Sequence, residues 1–339
     1  MSPGSRAVAG MLAFRPLTAD DDDIVAQWLG MLQLAVGDQP DSPAPCPVDM
    51  VGSLRFGPPA TTLDDWVVCR EDRVVGSVRL ALHAAAGQAR VDSLLVHPDF
   101  RRRGIGRALT AHAADRAARH GRRVLSLTVT EALPGGPPRD TAPAAFAAAV
   151  GATPAAQGAG LYQVLDLSRH NPLSEGVSDL PAGYRLATWG TITPGEFALA
   201  VSALEASLGT GSLDELGDAV EDSYARKFET MRIGRGRRAY HTGVVHQPSG
   251  QLAGYTSISM TASNPRHALQ GMTVVHVAHR GHGLGMLLKL ANLRHARLSE
   301  PMLRLLETTN DEANDPMIAI NAAMGFRPRE RRVCWTVTR

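Results

Sequence analysis

The sequence predicts an α/β protein of the α+β kind, made of two tandem copies of one mixed unit. Three observations predict it. A chain of 339 residues is long enough for two domains, each with its own core. A glycine-rich segment occurs twice, as FRRRGIGRAL from Phe100 to Leu109 and as HRGHGLGMLL from His279 to Leu288, each time between an apolar run and an apolar helix pattern. The order of strand and helix signals around those segments is the same in both halves, which marks an internal duplication.

In the first half, residues 1–10 read as a loose tail, and LAFRPL from Leu12 as the first strand. A helix follows, with Thr18 as its cap and a run of aspartates suited to a helix N-terminus. DWVVCREDRVVGSVRLAL reads as two strands around Glu71 and Asp72, and ARVDSLLVHP as a third. After the glycine segment comes a helix that stops at Gly121, then the strand RRVLSLTV, a short alanine-rich helix and a last strand, LYQVLDL. Phe146 and Met317, each in a short helix, read as packing residues, and Cys334, among apolar residues of the final strand, as core.

The second half repeats the series. YRLATW is a strand, and TPGEFALAVSALEASL and DELGDAVEDSYARKFETMRIG are helical. Two strands flank Pro248, Ser249 and Gly250, and ALQGMTVVHV leads into the second glycine segment. A helix, a strand, a short helix and the strand ERRVCWTVT complete it. Residues 169–182, rich in Ser, Pro and Gly, read as a linker. The expected domains are therefore residues 1–168 and 183–339.

Composition narrows the function. A net charge of +2 gives no reason to expect nucleic acid. Arginine carries nearly all the positive charge; Lys227 and Lys289 are the only lysines. Three isolated cysteines make no disulfide framework and fit a reducing cytoplasm. No stretch reads as a signal peptide or a membrane span. The expectation is a cytoplasmic protein, monomer or homodimer, without nucleic-acid or membrane partners.

A strand running into a glycine-rich turn and then a helix builds an anion site. The helix's first N–H groups lack intrahelical partners, the dipole adds positive charge, and glycine lets the backbone approach a phosphate. Arg101 or Arg280 at the head of the turn adds charge-assisted bonds. The P-loop needs Gly-Lys-Ser/Thr and the dinucleotide fingerprint needs G-x-G-x-x-G, and neither is present. What the chain has is R-x-x-G-x-G, twice in register, as RRRGIG and RGHGLG. That pattern, followed in the second half by N-x₆-N-x₃-G-F from Asn314 to Phe326, resembles the acyl-CoA loop and following helix of the GNAT N-acetyltransferase superfamily. The tandem arrangement is similar to proteins resembling mycothiol synthase.

The resemblance implies two GNAT folds. Each is a mixed, mostly antiparallel sheet flanked by helices, with a V-shaped opening between its fourth and fifth strands caused by a bulge in the fourth. It implies acetyl-CoA, or another acyl-CoA, as co-substrate, with no metal. Expected donor contacts in the second half are Val275, His276, Val277, Arg280, Gly281, His282, Gly283, Leu284, Gly285 and Asn314. In the first half they are Val96, Arg101, Arg102, Arg103, Gly104, Ile105 and Gly106. The acceptor implied is a primary amine of a small molecule, attacking directly. An acyl carrier protein as donor, and a silent CoA-binding scaffold, are the alternatives.

The chain departs from the family at both proton-transfer positions. Asn321 falls where the family has a helix tyrosine that serves as acid, and Ala147 falls there in the first half; neither can be a general acid. A base on the fourth strand is matched by Asp92, with Gly271 as its counterpart. The second half would draw its base from Glu307, His276, Glu221, Asp222 or Glu229, the last three also readable as a solvated helix face. The catalytic candidates are thus Glu307, Asn321, His276 and Asp92. His276, His279 and His282 are spaced as a metal motif, but Arg280 among them disfavours a cation. The second half, which carries both asparagines, is expected to be the enzyme, and Asp92 argues for the first.

Overall fold

The computed structural model describes residues 12–84, 86–155, 158–175, 179–210 and 223–338. Glu221 and Asp222, like the N-terminal tail, lie outside the described residues.

The first half runs β1 (Leu12–Pro16), α1 (Asp22–Ala35), α2 (Pro47–Arg55), β2 (Thr61–Arg70), β3 (Arg73–His83), β4 (Ala89–Val96), α3 (Ile105–Arg119), β5 (Val124–Ala132), α4 (Ala142–Ala149), β6 (Thr153–Pro154) and β7 (Gly160–Asp166). The second runs β8 (Tyr184–Trp189), α5 (Gly195–Thr210), α6 (Ser223–Gly234), β9 (Arg238–His246), β10 (Leu252–Met260), β11 (His267–Val275), α7 (Leu284–Ser299), β12 (Leu305–Asp311), α8 (Asp315–Ala323) and β13 (Arg327–Thr338). Two local readings are corrected. The cap of α1 is Asp21, whose carboxylate accepts from the N–H of Ile24, not Thr18. Helix α2, absent from the sequence reading, starts at Pro47, whose fixed φ and missing N–H suit a first turn.

Both halves share one 13-stranded sheet, in the order β1-β2-β3-β4-β5-β13-β7-β12-β11-β10-β9-β8, with β6 beside β13. The final strands are exchanged. β13 pairs with β5 of the first half, while β7 pairs with β12 of the second, and β13 and β7 join each other antiparallel at the centre. The halves also meet through side chains. Arg237 binds Asp49 in two hydrogen bonds of 2.5 and 2.7 Å, and Arg139 reaches Glu330 at 2.6 Å.

Runs such as Val67-Val68 lack alternation because both sheet faces are covered. Val67 joins Trp28 and Met31 of α1, and Val68 joins Ile105 and Leu109 of α3. The duplication recurs in packing. Lined up on Arg101 and Arg280, Leu109 falls on Leu288, and both are 0% exposed.

Each half opens into a V. β4 is bonded to β5 only from Ala89 to Val91, and β11 to β12 only from His267 to Leu269, after which the parallel neighbours part. A bulge lies at each parting. Arg79 faces Ser93 and Leu80 faces Val91, so Asp92 is the extra residue. Thr256 faces Thr273 and Ile258 faces Gln270, so Gly271 and Met272 together oppose Ser257. A Cβ on Gly271 would stand 2.4 Å from the Ser257 hydroxyl, which explains why no side chain matches Asp92 there.

Candidate active site

The two glycine turns are built alike. Gly104 caps α3 and Gly283 caps α7, both left-handed, with φ of 84° and 73° and no side chain occupying the cap. A Cβ at either would meet nothing within 4 Å. The first-turn N–H groups of both helices therefore face open space of the kind a pyrophosphate fills. The next glycine does a different job. A Cβ on Gly106 would meet Phe146 at 3.0 Å, and one on Gly285 would meet Ile320 at 3.1 Å, so these positions bring α3 against α4 and α7 against α8. Phe146 is thereby confirmed as packing. The side chains of Ile105 and Leu284 are buried, so only their backbone can face a phosphate.

The arginines at the head of each turn are fixed identically and paired differently. Arg101 donates to the Val96 carbonyl and Arg280 to the Val275 carbonyl, each at 3.2 Å. Arg101 also grips Asp38 in two bonds, of 3.0 and 2.6 Å. Among the described residues no carboxylate lies in ion-pair range of Arg280. Arg102 takes φ 62°, a strained value for a side-chain-bearing residue, where the second half has Gly281 at 83°. Arg102, Arg103, His282 and Val277 are exposed along the turns, and Val96 and Val275 end their strands half-buried.

His276 does locally what His97 does in the first half: its Nδ1 accepts the N–H of the residue two places on. Its ring belongs to a cluster with His279, His282, His246 and Tyr184, in which the Tyr184 hydroxyl lies 2.9 Å from His279 Nδ1. Burial and the neighbouring histidines hold His279 below the usual histidine range. Among the described residues no group of three His, Cys, Asp or Glu is placed to hold a metal.

The carboxylates separate sharply. Asp92 is exposed and tied to Arg90 at 2.7 Å. Glu229 is not on a solvated face. It is 5% exposed, accepting from the Thr193 N–H at 2.8 Å and paired with Arg226. Cys334 is half-buried rather than core. Asn314 is spent as the cap of α8.

Glu307 is different. It stands on β12 at the last parallel pairing, opposite Leu269, where the second V begins to open. Its neighbour Leu306 faces the α7 core, so Glu307 faces the opposite side of the sheet. Tyr162, on the exchanged strand β7, donates to its Oε2 at 2.5 Å, and His267 Nε2 lies 3.0 Å from the same oxygen. Burial alone would raise this carboxyl. His267, Tyr162 and Arg332 outweigh it and hold it below the usual glutamate range. The Tyr162 hydroxyl is pushed well up by burial and by Glu307, so it stays protonated. Two adjoining cavities, of about 170 and 330 Å³, share Glu307, His267, Asn264 and Pro43 in their walls. The residues that close them come from the first half's 40–50 segment and from Tyr162.

Asn321 does not open into that cavity. It is 0% exposed, donating to Gln163 and Asn310 and accepting from the Lys289 ammonium. Two residues escaped the sequence reading. Tyr162 was invisible because only strand exchange brings it to Glu307. Glu205, on α5, is a buried carboxylate bonded to the Tyr255 hydroxyl at 2.5 Å, and burial raises it. Its one signal was an acid set among apolar residues in the middle of a helix.

The geometry can be set beside known proteins. A tandem GNAT protein from the clavulanic acid biosynthesis pathway, solved without AcCoA, is 59% identical, with 97% of this chain and 98% of that one covered at a TM-score of 0.89. This chain belongs to the GNAT acetyltransferase family. The acetyltransferase (GNAT) family model matches residues 30–134, which include the first glycine turn. A GCN5-related N-acetyltransferase from Sphaerobacter thermophilus is 18% identical over 96% of this chain and 95% of its own, with a TM-score of 0.62. A putative acetyltransferase from Pyrococcus horikoshii is 13% identical over 100% and 93%, at 0.54. These last two show the fold alone. No curated protein matches. GNAT enzymes use acetyl-CoA, and the open, uncapped glycine turns fit the pyrophosphate of such a donor. No helix among the described residues is long and apolar enough to cross a membrane.

Proposed function

We propose that the protein transfers an acyl group, acetyl in the first instance, from acyl-CoA to the primary amine of a small molecule, and that the second V carries out the chemistry. One observation carries this reading: Glu307 stands ionised at the apex of that V, in the wall of a cavity. There it takes a proton from the acceptor ammonium, leaving a free amine to attack. Arg280 and the N–H groups behind Gly283 hold the pyrophosphate, while Thr273 to Val277 offer strand-edge groups to the pantetheine. His276 keeps its turn in place. The relative at 59% identity belongs to a small-molecule pathway, which supports a metabolite as acceptor.

The family match to residues 30–134 favours a second reading, in which the first V works with Asp92. Titration calorimetry with acetyl-CoA, together with CoA release on amine panels, separates the two. The pair Gly283→Glu and Gly285→Glu should abolish turnover; the pair Gly104→Glu and Gly106→Glu should leave it. The reverse result gives the chemistry to the first half. No acetyl-CoA binding in the wild type would move a carrier-bound donor to first place.

A further inference from the structure

Lys289 is one of two lysines in the chain and is 1% exposed. A buried ammonium is costly unless it is paired with a carboxylate, and among the described residues this one has none. Its partners are the Asn321 Oδ1 and the ring of Phe326, 5.1 Å away. Gln163 and Asn310 hold Asn321 through its Nδ2 at 2.8 and 2.7 Å, which fixes the amide so that its oxygen points at the lysine. Asn310 is half-buried and lies beyond the point where β12 leaves β11, so the network runs from the core to the open arm of the V. Lys289 is one turn along α7 from Gly285, on the face that meets α8 at Ile320. None of the roles assigned above uses it.

We propose that Lys289 is the acid that protonates the departing thiolate in the second V, with Asn321 as the residue that positions its ammonium. The inference rests on the reading that this V transfers an acyl group. In the step, the amine nitrogen forms a bond to the thioester carbonyl carbon. The C–S bond breaks, and its electron pair leaves on sulfur. Lys289 gives that sulfur one proton and becomes a neutral amine. Glu307, having passed to solvent the proton it took from the acceptor ammonium, accepts the second proton that the nitrogen loses on attack. Lys289 then regains one from solvent, and Glu307 releases its own. The groups that touch the ammonium, Asn321 and Phe326, and those that hold Asn321, Gln163 and Asn310, do not titrate. Burial is the only influence on the lysine and lowers it to about 7, where donating to a thiolate and regaining a proton are both easy. The first half has no such pair: in its register Thr110 stands for Lys289 and Ala147 for Asn321.

With only two lysines, protein labelled at lysine Cε and Nζ gives two side-chain signals, and Lys289→Met assigns them. Addition of CoA should move the Lys289 signal and its titration midpoint and leave Lys227 in place. Desulpho-CoA, which has the same cradle contacts and no sulfur, should move it far less. Calorimetric binding of CoA with an unmoved Lys289 signal, or an equal response to desulpho-CoA, overturns the proposal while leaving the acyltransfer reading standing. Absence of CoA binding overturns both. Kinetically, Lys289→Met should lower kcat at least tenfold at unchanged KM and remove the alkaline limb of its pH profile. Lys289→Arg should not restore it, because guanidinium keeps its proton; rescue by arginine would reduce the lysine to a structural cation.

Discussion

At the apex of the second V stands Glu307, opposite Leu269; the same register across the first V places Ser126 opposite Arg90. The exchanged strand brings the Tyr162 hydroxyl to Glu307, whereas the other exchanged strand sets Thr336 opposite Ser126. In the second turn of the helix the contrast continues, Lys289 with Asn321 against Thr110 with Ala147. The features that do agree are scaffold: left-handed glycine caps, bulges, arginines anchored on the preceding strand, and buried Leu109 and Leu288. Duplication has copied the glycine turn proposed to hold a pyrophosphate, and the groups proposed to handle protons have diverged around it. A shared fold therefore predicts two cradles and says nothing about two reactions.

The largest test of the contrast is the pair of apex residues. Glu307→Gln should lower kcat by roughly 10²–10⁴, the usual worth of a general base, whereas Ser126→Ala should leave it within twofold. Steady-state CoA release measures both, and the opposite pattern would place the chemistry in the first V.

A second comparison is thermodynamic. Lys289 titrates near 7 when folded and near 10.5 when unfolded. Between those values the unfolded chain binds a proton that the native one does not, so stability rises with pH across that window. The rise is on the order of a few kcal/mol. Guanidinium unfolding at pH 7 and pH 10 should show it in the wild type and not in Lys289→Met. Thr110, in the other half, contributes no such slope.

Much of this was legible in the sequence because it depends on local rules. Paired glycine turns, the Gly121 stop of α3 and the duplicated order each follow from a few neighbouring residues, and the bulged fourth strand was implied by the resemblance those turns carry. Strand exchange does not. LYQVLDL and ERRVCWTVT look the same whichever sheet half receives them, so the partnership of Tyr162 with Glu307 had no sequence signal. Glu229 misled for a related reason: helical spacing gives a face, but what covers that face is a tertiary matter, here Thr193 and Arg226. Asn321 was found by counting back from Gly325 and Phe326, but its work, binding a buried lysine from another helix, could not be counted.

Tyr162 makes the third test, because it asks whether the first half serves the second. Tyr162→Phe removes the hydroxyl that donates to Glu307. A hydrogen bond to a charged group contributes about 1.5–3 kcal/mol, so the Glu307 carboxyl should rise toward the ordinary range. Its lowered value means that both its ionised form and the stability it confers persist at neutral pH and are lost as pH falls through the folded value. The acid limb of kcat/KM should therefore move to higher pH in the variant. An unmoved limb would separate Glu307 from Tyr162 in function.

The smallest expected effect concerns the cradles themselves. Arg101 and Arg280 are anchored alike, yet Asp38 already holds the Arg101 guanidinium and raises its basicity, and a donor phosphate must compete with that carboxylate. The ion pair is partly exposed, so it contributes no more than about 1 kcal/mol. Asp38→Ala should free Arg101 and tighten acetyl-CoA binding at the first cradle by up to about fivefold, with the second cradle unchanged. Calorimetry on the Gly283→Glu, Gly285→Glu background isolates the first site and reads the change. If affinity falls instead, Asp38 is holding Arg101 in its phosphate-ready position. The difference between the two cradles would then be one of preorganisation and not of competition.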